Sequence, residues 1–238
     1  SYAESDTHLE HIEQAAKLLA KAKKPLLVVG GGAQGANLEI LQMAELLQAP
    51  VTFFRSGKGV IDERHYLSQC FPAGHRLWKE VDVVLAIGTR LKYQQMYWGL
   101  DENIKILRID IDPTEINRIS YPEVGIVAES RTALKALLPK VERYNLRRTS
   151  RKQELIELKA EFYSAFEKKI SPQMAFLRVI REEPPEDHQS QPDDMGEVLL
   201  SPEISCAAQQ TLGQPIPFPC GGRSCGREVT SRAVESAG

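Results

Sequence analysis

Short apolar runs alternating with stretches of helical spacing restrict this chain's fold more than any other feature. Residues 25–29, 51–54, 83–87, 104–109 and 124–128 are such runs, rich in Val, Ile, Leu and Phe, and 67–70 reads as a shorter strand among them. Leu9, Ile12, Ala16 and Leu19 recur at helical intervals, as do Leu38, Leu41, Met43 and Leu47, and a further helix is expected from about 131 to 141. A strand that is apolar on both faces must be covered on both faces. Helices between the strands supply that cover and return the chain for parallel pairing. The expected fold is α/β: a doubly wound, Rossmann-like parallel sheet of five or six strands.

The chemistry-bearing residues sit where these runs end. Lys105-Ile-Leu-Arg-Ile-Asp110-Ile-Asp112-Pro113-Thr-Glu115 carries an apolar strand into two acids and a helix start. Asp112 suits the N-cap, Pro113 the first helical position and Glu115 the third, as in a capping box. In an open parallel sheet, ligands bind beyond such carboxyl ends, yet a plain, well-capped turn has the same sequence. Gly30-Gly31-Gly32-Ala33-Gln34-Gly35 is a literal G-x-G-x-x-G after a strand. It suits a phosphate cradle or, equally, a tight turn that packs strand against helix. The dinucleotide fingerprint also asks for an acid at the end of the next strand, and here that strand ends in Phe54-Arg55-Ser56. Gly88-Thr89-Arg90 closes another run. Arg90 could hold a phosphate or carboxylate bidentately, or pair with an acid such as Asp110 or Glu129. Arg55-Ser56-Gly57-Lys58-Gly59 lacks the P-loop frame. His65, His75, Tyr93, Tyr97 and Trp98 are read as loop residues. No nucleophile stands in an elbow motif and no His-x-x-x-His pair occurs, so no catalytic residue and no metal ligand is assigned.

Composition narrows the partners. A net charge of −2 over 238 residues gives no footprint for nucleic acid or an anionic membrane. No run of about 18 apolar residues exists, so no membrane span is expected. The start at Ser1 resembles no leader peptide and suggests a piece of a longer protein. Cys206, Cys220 and Cys225 lack zinc spacing, and a reduced, cytoplasmic setting is expected. Residues 146–170 read as a charged linker helix on the surface, with Leu155, Leu158, Phe162 and Phe166 as its apolar stripe. Ser171-Pro172 opens another helix. Beyond Arg181 there is no Lys and Phe218 is the only aromatic, so disorder is expected from about 184 to 238.

Four segments together resemble one family: Pro25-Leu-Leu-Val-Val-Gly-Gly-Gly32, Ala44-Glu-Leu-Leu-Gln-Ala-Pro-Val51, Asp82-Val-Val-Leu-Ala-Ile-Gly-Thr-Arg90 and Arg108-Ile-Asp-Ile-Asp-Pro-Thr-Glu-Ile116. In order and spacing they resemble the central domain of thiamine-diphosphate-dependent enzymes of the acetolactate synthase and benzoylformate decarboxylase type. The resemblance implies residues 1–145 as that Rossmann-like domain, and 171–187 as a truncated start of the third, pyrophosphate-binding domain. It implies 188–238 as a low-order, frame-shifted or alternatively spliced tail. The family's first domain, and the Gly-Asp-Gly motif of its third, are absent from this sequence. The resemblance therefore implies a fragment, inactive alone, whose thiamine diphosphate and Mg2+ site belongs to a parent 2-oxo acid decarboxylase or carboligase that assembles as a homo-oligomer, dimer or tetramer. It further implies that Gly30, Gly31, Gly32, Gly88, Thr89, Arg90, Asp110 and Asp112 face a nucleotide, FAD or ADP. The acids would accept from ribose or adenine, and Arg90 would meet phosphate. Ser68-Gln-Cys-Phe-Pro-Ala-Gly-His75 departs from the synthase pattern near the flavin. The other readings are a stand-alone FAD- or NAD(P)-binding module and an inactive interaction fragment.

Overall fold

The computed structural model describes residues 6–99 and 103–170. Six strands form one sheet: β1 (Pro25–Val29), β2 (Val51–Phe53), β3 (Ser68–Gln69), β4 (Val83–Ile87), β5 (Lys105–Asp110) and β6 (Val124–Val127). All are parallel, in the order β3-β2-β1-β4-β5-β6. The helices are α1 (Asp6–Lys21), α2 (Asn37–Leu47), α3 (Phe71–Trp78), α4 (Pro113–Ile116), α5 (Ser130–Tyr144) and α6 (Lys152–Lys169). The expected parallel α/β sheet is present, with six strands.

Both faces of the central strands are buried, as their apolar composition requires. Leu27, Val29, Leu85, Ile87, Leu107 and Ile109 face the larger core, which α1, α2 and α5 complete. Leu26, Val28, Val84, Ala86 and Ile106 face a smaller one with Trp78, Val81 and Leu91. After α5 the chain returns across the amino end of the sheet. There Asn145 Nδ2 donates to the Leu46 carbonyl at 2.9 Å. Arg148 Nη2 donates to the carbonyls of Leu19, Ala20 and Ala22 at 2.9, 2.9 and 2.8 Å. One short segment thus serves carbonyls at the C-terminal ends of both α1 and α2, where the helix leaves acceptors unpaired.

Two expectations need correction. His75 is not in a loop but in α3, whose Pro72 and Gly74 resemble breakers in the sequence. Proline is tolerated in a first turn. Gly74 is required because a Cβ there would lie 2.4 Å from Thr52 Oγ1 on β2. The charged helix forms, yet it is more than a surface linker: Leu155 and Phe162 are 0% and 4% exposed. Gln69 Nε2 donates to the Leu155 carbonyl at 3.1 Å, and Lys159 Nζ to the carbonyls of Glu63 and His65 at 2.7 Å each. The expectations for 171–187 and 188–238 lie outside the described residues. Among the described residues no helix is long and apolar enough to cross a membrane.

Candidate functional site

The strand order reverses between β1 and β4, so the crevice beyond their carboxyl ends is where this fold class seats a ligand. Two glycine-bearing loops meet there. The Gly30 amide donates to the Ile87 carbonyl and the Gly32 amide to the Gly88 carbonyl, both at 3.0 Å. Gly88 has a φ of +54°, and a Cβ on it would lie 2.3 Å from the Gly32 carbonyl carbon. A Cβ on Gly30 would lie 2.4 Å from Gly88 O, and one on Gly32 2.8 Å from Gly88 Cα. These three glycines let the β1 and β4 loops interlock backbone to backbone.

That interlocking uses the amides a phosphate would need. Besides Gly30 and Gly32, the Ala33 amide donates to Gly30 O (3.1 Å), Gln34 to Gly31 O (3.3 Å), Gly35 to Asn37 Oδ1 (3.1 Å) and Ala36 to Ala33 O (3.1 Å). Among the described residues the Gly31 amide has no such acceptor. Gly31–Ala33 forms a 3₁₀ turn and α2 starts only at Asn37. The G-x-G-x-x-G run therefore does not open a helix, as the dinucleotide fingerprint demands, and a diphosphate cradled by its amides does not fit.

The rim beside these loops is polar. Thr89 Oγ1 accepts from the Leu91 amide at 3.3 Å, and its carbonyl accepts from Arg108 Nη2 at 3.1 Å. Arg90 is 73% exposed, with Nε 3.5 Å from Glu115 Oε1. It thus pairs with an acid, but neither Asp110 nor Glu129. Glu129 instead caps α5, accepting from the Arg131 and Thr132 amides at 3.0 and 2.7 Å. Asp112 caps α4 as the sequence indicates, its Oδ1 accepting from the Thr114 amide at 2.8 Å and hydroxyl at 2.7 Å. The Thr114 hydroxyl and then its amide hold the Asp112 carboxyl below the usual carboxylate range. The reciprocal half of the capping box is absent. Asp110 Oδ1, not Glu115, accepts from the Asp112 amide at 3.1 Å, because Glu115 is turned toward Arg90 and Arg118.

Sequence reading missed two features here. Arg108, inside an apolar run, is 1% exposed and ties Thr89 O to Ile116 O, the latter at 3.0 Å through Nη1. Tyr93, Tyr97 and Trp98 are half-buried and, against expectation, lie at or in a π-helical turn (Gln94–Trp98) rather than a loop: the Trp98 ring tilts against Phe71 at 4.7 Å and His75 at 5.3 Å, and Tyr93 stacks on Phe54 at 5.6 Å. Burial lowers the His75 pKa. Among the described residues no three His, Cys, Asp or Glu side chains are grouped to hold a metal ion.

The family model described as thiamine pyrophosphate enzyme, central domain, matches residues 12–137. The chain belongs to this family. It is 36% identical over 146 residues to a probable acetolactate synthase large subunit of Methanococcus aeolicus, covering 57% of this chain and 24% of that protein. A probable 2-ketoarginine decarboxylase of Pseudomonas aeruginosa is 33% identical over 135 residues (54% and 24%). Glyoxylate carboligase of Escherichia coli O157:H7 is 34% identical over 138 residues (53% and 23%). The chain thus spans about a quarter of the length of these relatives. The family resemblance read from the four strand-end segments holds.

Proposed function

We propose that this chain is the central, scaffolding domain of a thiamine-diphosphate-dependent 2-oxo acid decarboxylase or carboligase of the acetolactate synthase kind. The observation that carries this reading is the central-domain match over 12–137, seated on a complete six-stranded sheet. In such an enzyme thiamine diphosphate acts as the electron sink for the 2-oxo acid. On this reading the thiamine diphosphate and Mg2+ chemistry lies in other parts of a parent homo-oligomer, dimer or tetramer. The domain's own work would be to present rigid surfaces, set by its two cores, to those parts. The reading is tested by melting the purified chain with and without thiamine diphosphate and Mg2+. A ligand at a hundred times its Kd stabilises by about 2.7 kcal/mol. No shift is expected; an upward shift of several degrees would place a thiamine site within this chain.

A nucleotide on the rim is the second reading, favoured by the open Gly31 amide and the exposed Arg90. We place an ADP moiety, free or as part of FAD, with Arg90 toward phosphate and Asp110 and Asp112 toward ribose hydroxyls. Thr89 would line the same edge, while Gly30, Gly32 and Gly88 keep the crevice narrow. ADP should then raise the melting temperature and Arg90→Ala should remove the rise. No response to millimolar ADP or FAD would leave the scaffold role alone.

A further inference from the structure

The loop between β2 and β3, residues 54–67, runs from the switch-point rim to α6. At its rim end Gln34 Nε2 donates to the carbonyls of Ser56 and Lys58 at 3.1 Å each, and Asn37 Nδ2 to the Gly59 carbonyl at 3.4 Å. Asn37 Oδ1 in turn accepts from the Gly35 amide at 3.1 Å. Ser56 stands so near Gly31 that a Cβ there would lie 3.2 Å from its own Cβ. The loop is therefore seated on the Gly31–Ala33 turn. In its middle Val60 and Ile61 are buried in the larger core, and Lys58 Nζ pairs with Glu63 Oε1 at 3.1 Å across them. At its far end Lys159 Nζ reaches in from α6 and donates to the carbonyls of Glu63 and His65 at 2.7 Å each. There the His65 amide donates to the Asp62 carbonyl and the Ser68 amide to the His65 carbonyl, both at 3.0 Å.

We propose that α6 is a strap on the rim. Seated, its Lys159 ammonium fixes the 62–65 end of the loop. The loop, through the Lys58–Glu63 pair and the Gln34 and Asn37 side chains, fixes the Gly31–Ala33 turn. Unseating α6 then releases the turn that carries the open Gly31 amide. Lys159 suits this task, because a charged donor makes hydrogen bonds about twice as strong as neutral ones, and here one ammonium serves two carbonyls. The rest of the seat is modest: the buried Leu155 and Phe162, the Gln69 bond to the Leu155 carbonyl, and Arg76, which pairs with Glu161 at 2.5 and 2.8 Å and lies over the Phe162 ring at 4.9 Å. Exposed ion pairs such as Arg76–Glu161 add little, so α6 can open locally while the sheet stays folded. The chain runs on from α6 past residue 170, and a part attached there can work the strap. That use rests on the scaffold reading above, whereas the relay from Lys159 to Gln34 does not.

Amide hydrogen exchange of the full chain, followed residue by residue by NMR, tests this. Lys159→Met keeps an apolar stem and removes the ammonium. It should speed exchange of the Ala33, Gln34 and Gly35 amides by about threefold or more, together with His65 and Ser68, and leave the amides of β4 and β5 unchanged. Lys159→Arg, which can still donate to both carbonyls, should restore most of the protection. Energetic coupling is reciprocal, so Gln34→Leu should in turn speed exchange at His65 and Ser68. Faster exchange at His65 and Ser68 with Ala33, Gln34 and Gly35 unchanged in Lys159→Met would overturn the strap. So would an equal rise throughout β4 and β5, the mark of a general loss of stability. If Lys159→Met does not fold, unchanged His65 and Ser68 amides in Gln34→Leu overturn it instead. A thiamine-dependent rise in melting temperature, which would end the scaffold reading, has no bearing on these exchange ratios.

Discussion

At the scale of single residues, the strand-end glycines divide into two kinds, although the sequence shows them as one motif. Gly88 combines a φ of +54° with backbone 2.3 Å from a would-be Cβ, whereas a Cβ on Gly31 would meet the Ser56 side chain, Cβ at 3.2 Å and Oγ at 3.3 Å. Left-handed backbone costs about 1–2 kcal/mol in a non-glycine residue, and overpacking about 1–3 kcal/mol more. Gly88→Ala should therefore lose about 2–5 kcal/mol in urea unfolding and Gly31→Ala less than about 1 kcal/mol. Equal losses would contradict the interlocked-loop account. Arg148 was invisible to pattern reading, because its partners are carbonyls, which every residue has. Its removal takes the side-chain donors from the Ala22 carbonyl and leaves those of Leu19 and Ala20 with a backbone amide each, and Arg148→Ala should cost about 1–3 kcal/mol. Glu13 gives a pH signature. The Tyr144 hydroxyl, then Lys140 and Lys17, hold its carboxyl at about 2 against an ordinary 4.5. A folded pKa below the unfolded one gives stability that is complete above the unfolded value and lost as pH falls through the folded one. The melting temperature of the unmodified chain should therefore fall more steeply between about pH 4.5 and 2 than that of Glu13→Gln; parallel curves would remove Glu13 from the acid response.

At the scale of elements, what the sequence disclosed and what it hid have one cause. β1 and β4 were legible to the residue, since five consecutive apolar side chains buried on both faces leave a local record. α3 left none, because Gly74 and Pro72 answer to β2 and to first-turn geometry rather than to helical propensity. The edge contacts of α6 were hidden for the same reason: Lys159 and Gln69 find backbone carbonyls far away in the chain. Of the site, the Asp112 cap was readable because it is local, while the Glu115–Arg90 pair and the buried Arg108 depend on how two loops meet. If α6 belongs to the domain, Leu155→Ala should cost about 2–4 kcal/mol, as for a fully buried leucine. Arg76→Ala, which breaks an exposed pair with Glu161, should cost under about 1 kcal/mol in the same unfolding experiment. A neutral Leu155→Ala would return α6 to the status of a surface linker.

At the scale of the whole molecule, the described residues form a six-stranded parallel sheet whose central strands are buried on both faces. Two cores, helix-end caps and interlocked loops account for the folded domain. Among the described residues the rim at the switch point carries the Asp112 cap, the Asp110 carboxylate, the exposed Arg90 guanidinium beside Glu115 and the open Gly31 amide. On the scaffold proposal this rim belongs to a part positioned among others. The most direct test is to follow consumption of a 2-oxo acid such as pyruvate by the purified chain, with thiamine diphosphate and Mg2+ in excess. The scaffold account predicts a rate equal to that of the same mixture without protein, from a chain that melts cooperatively. A protein-dependent, thiamine-dependent rate would contradict it.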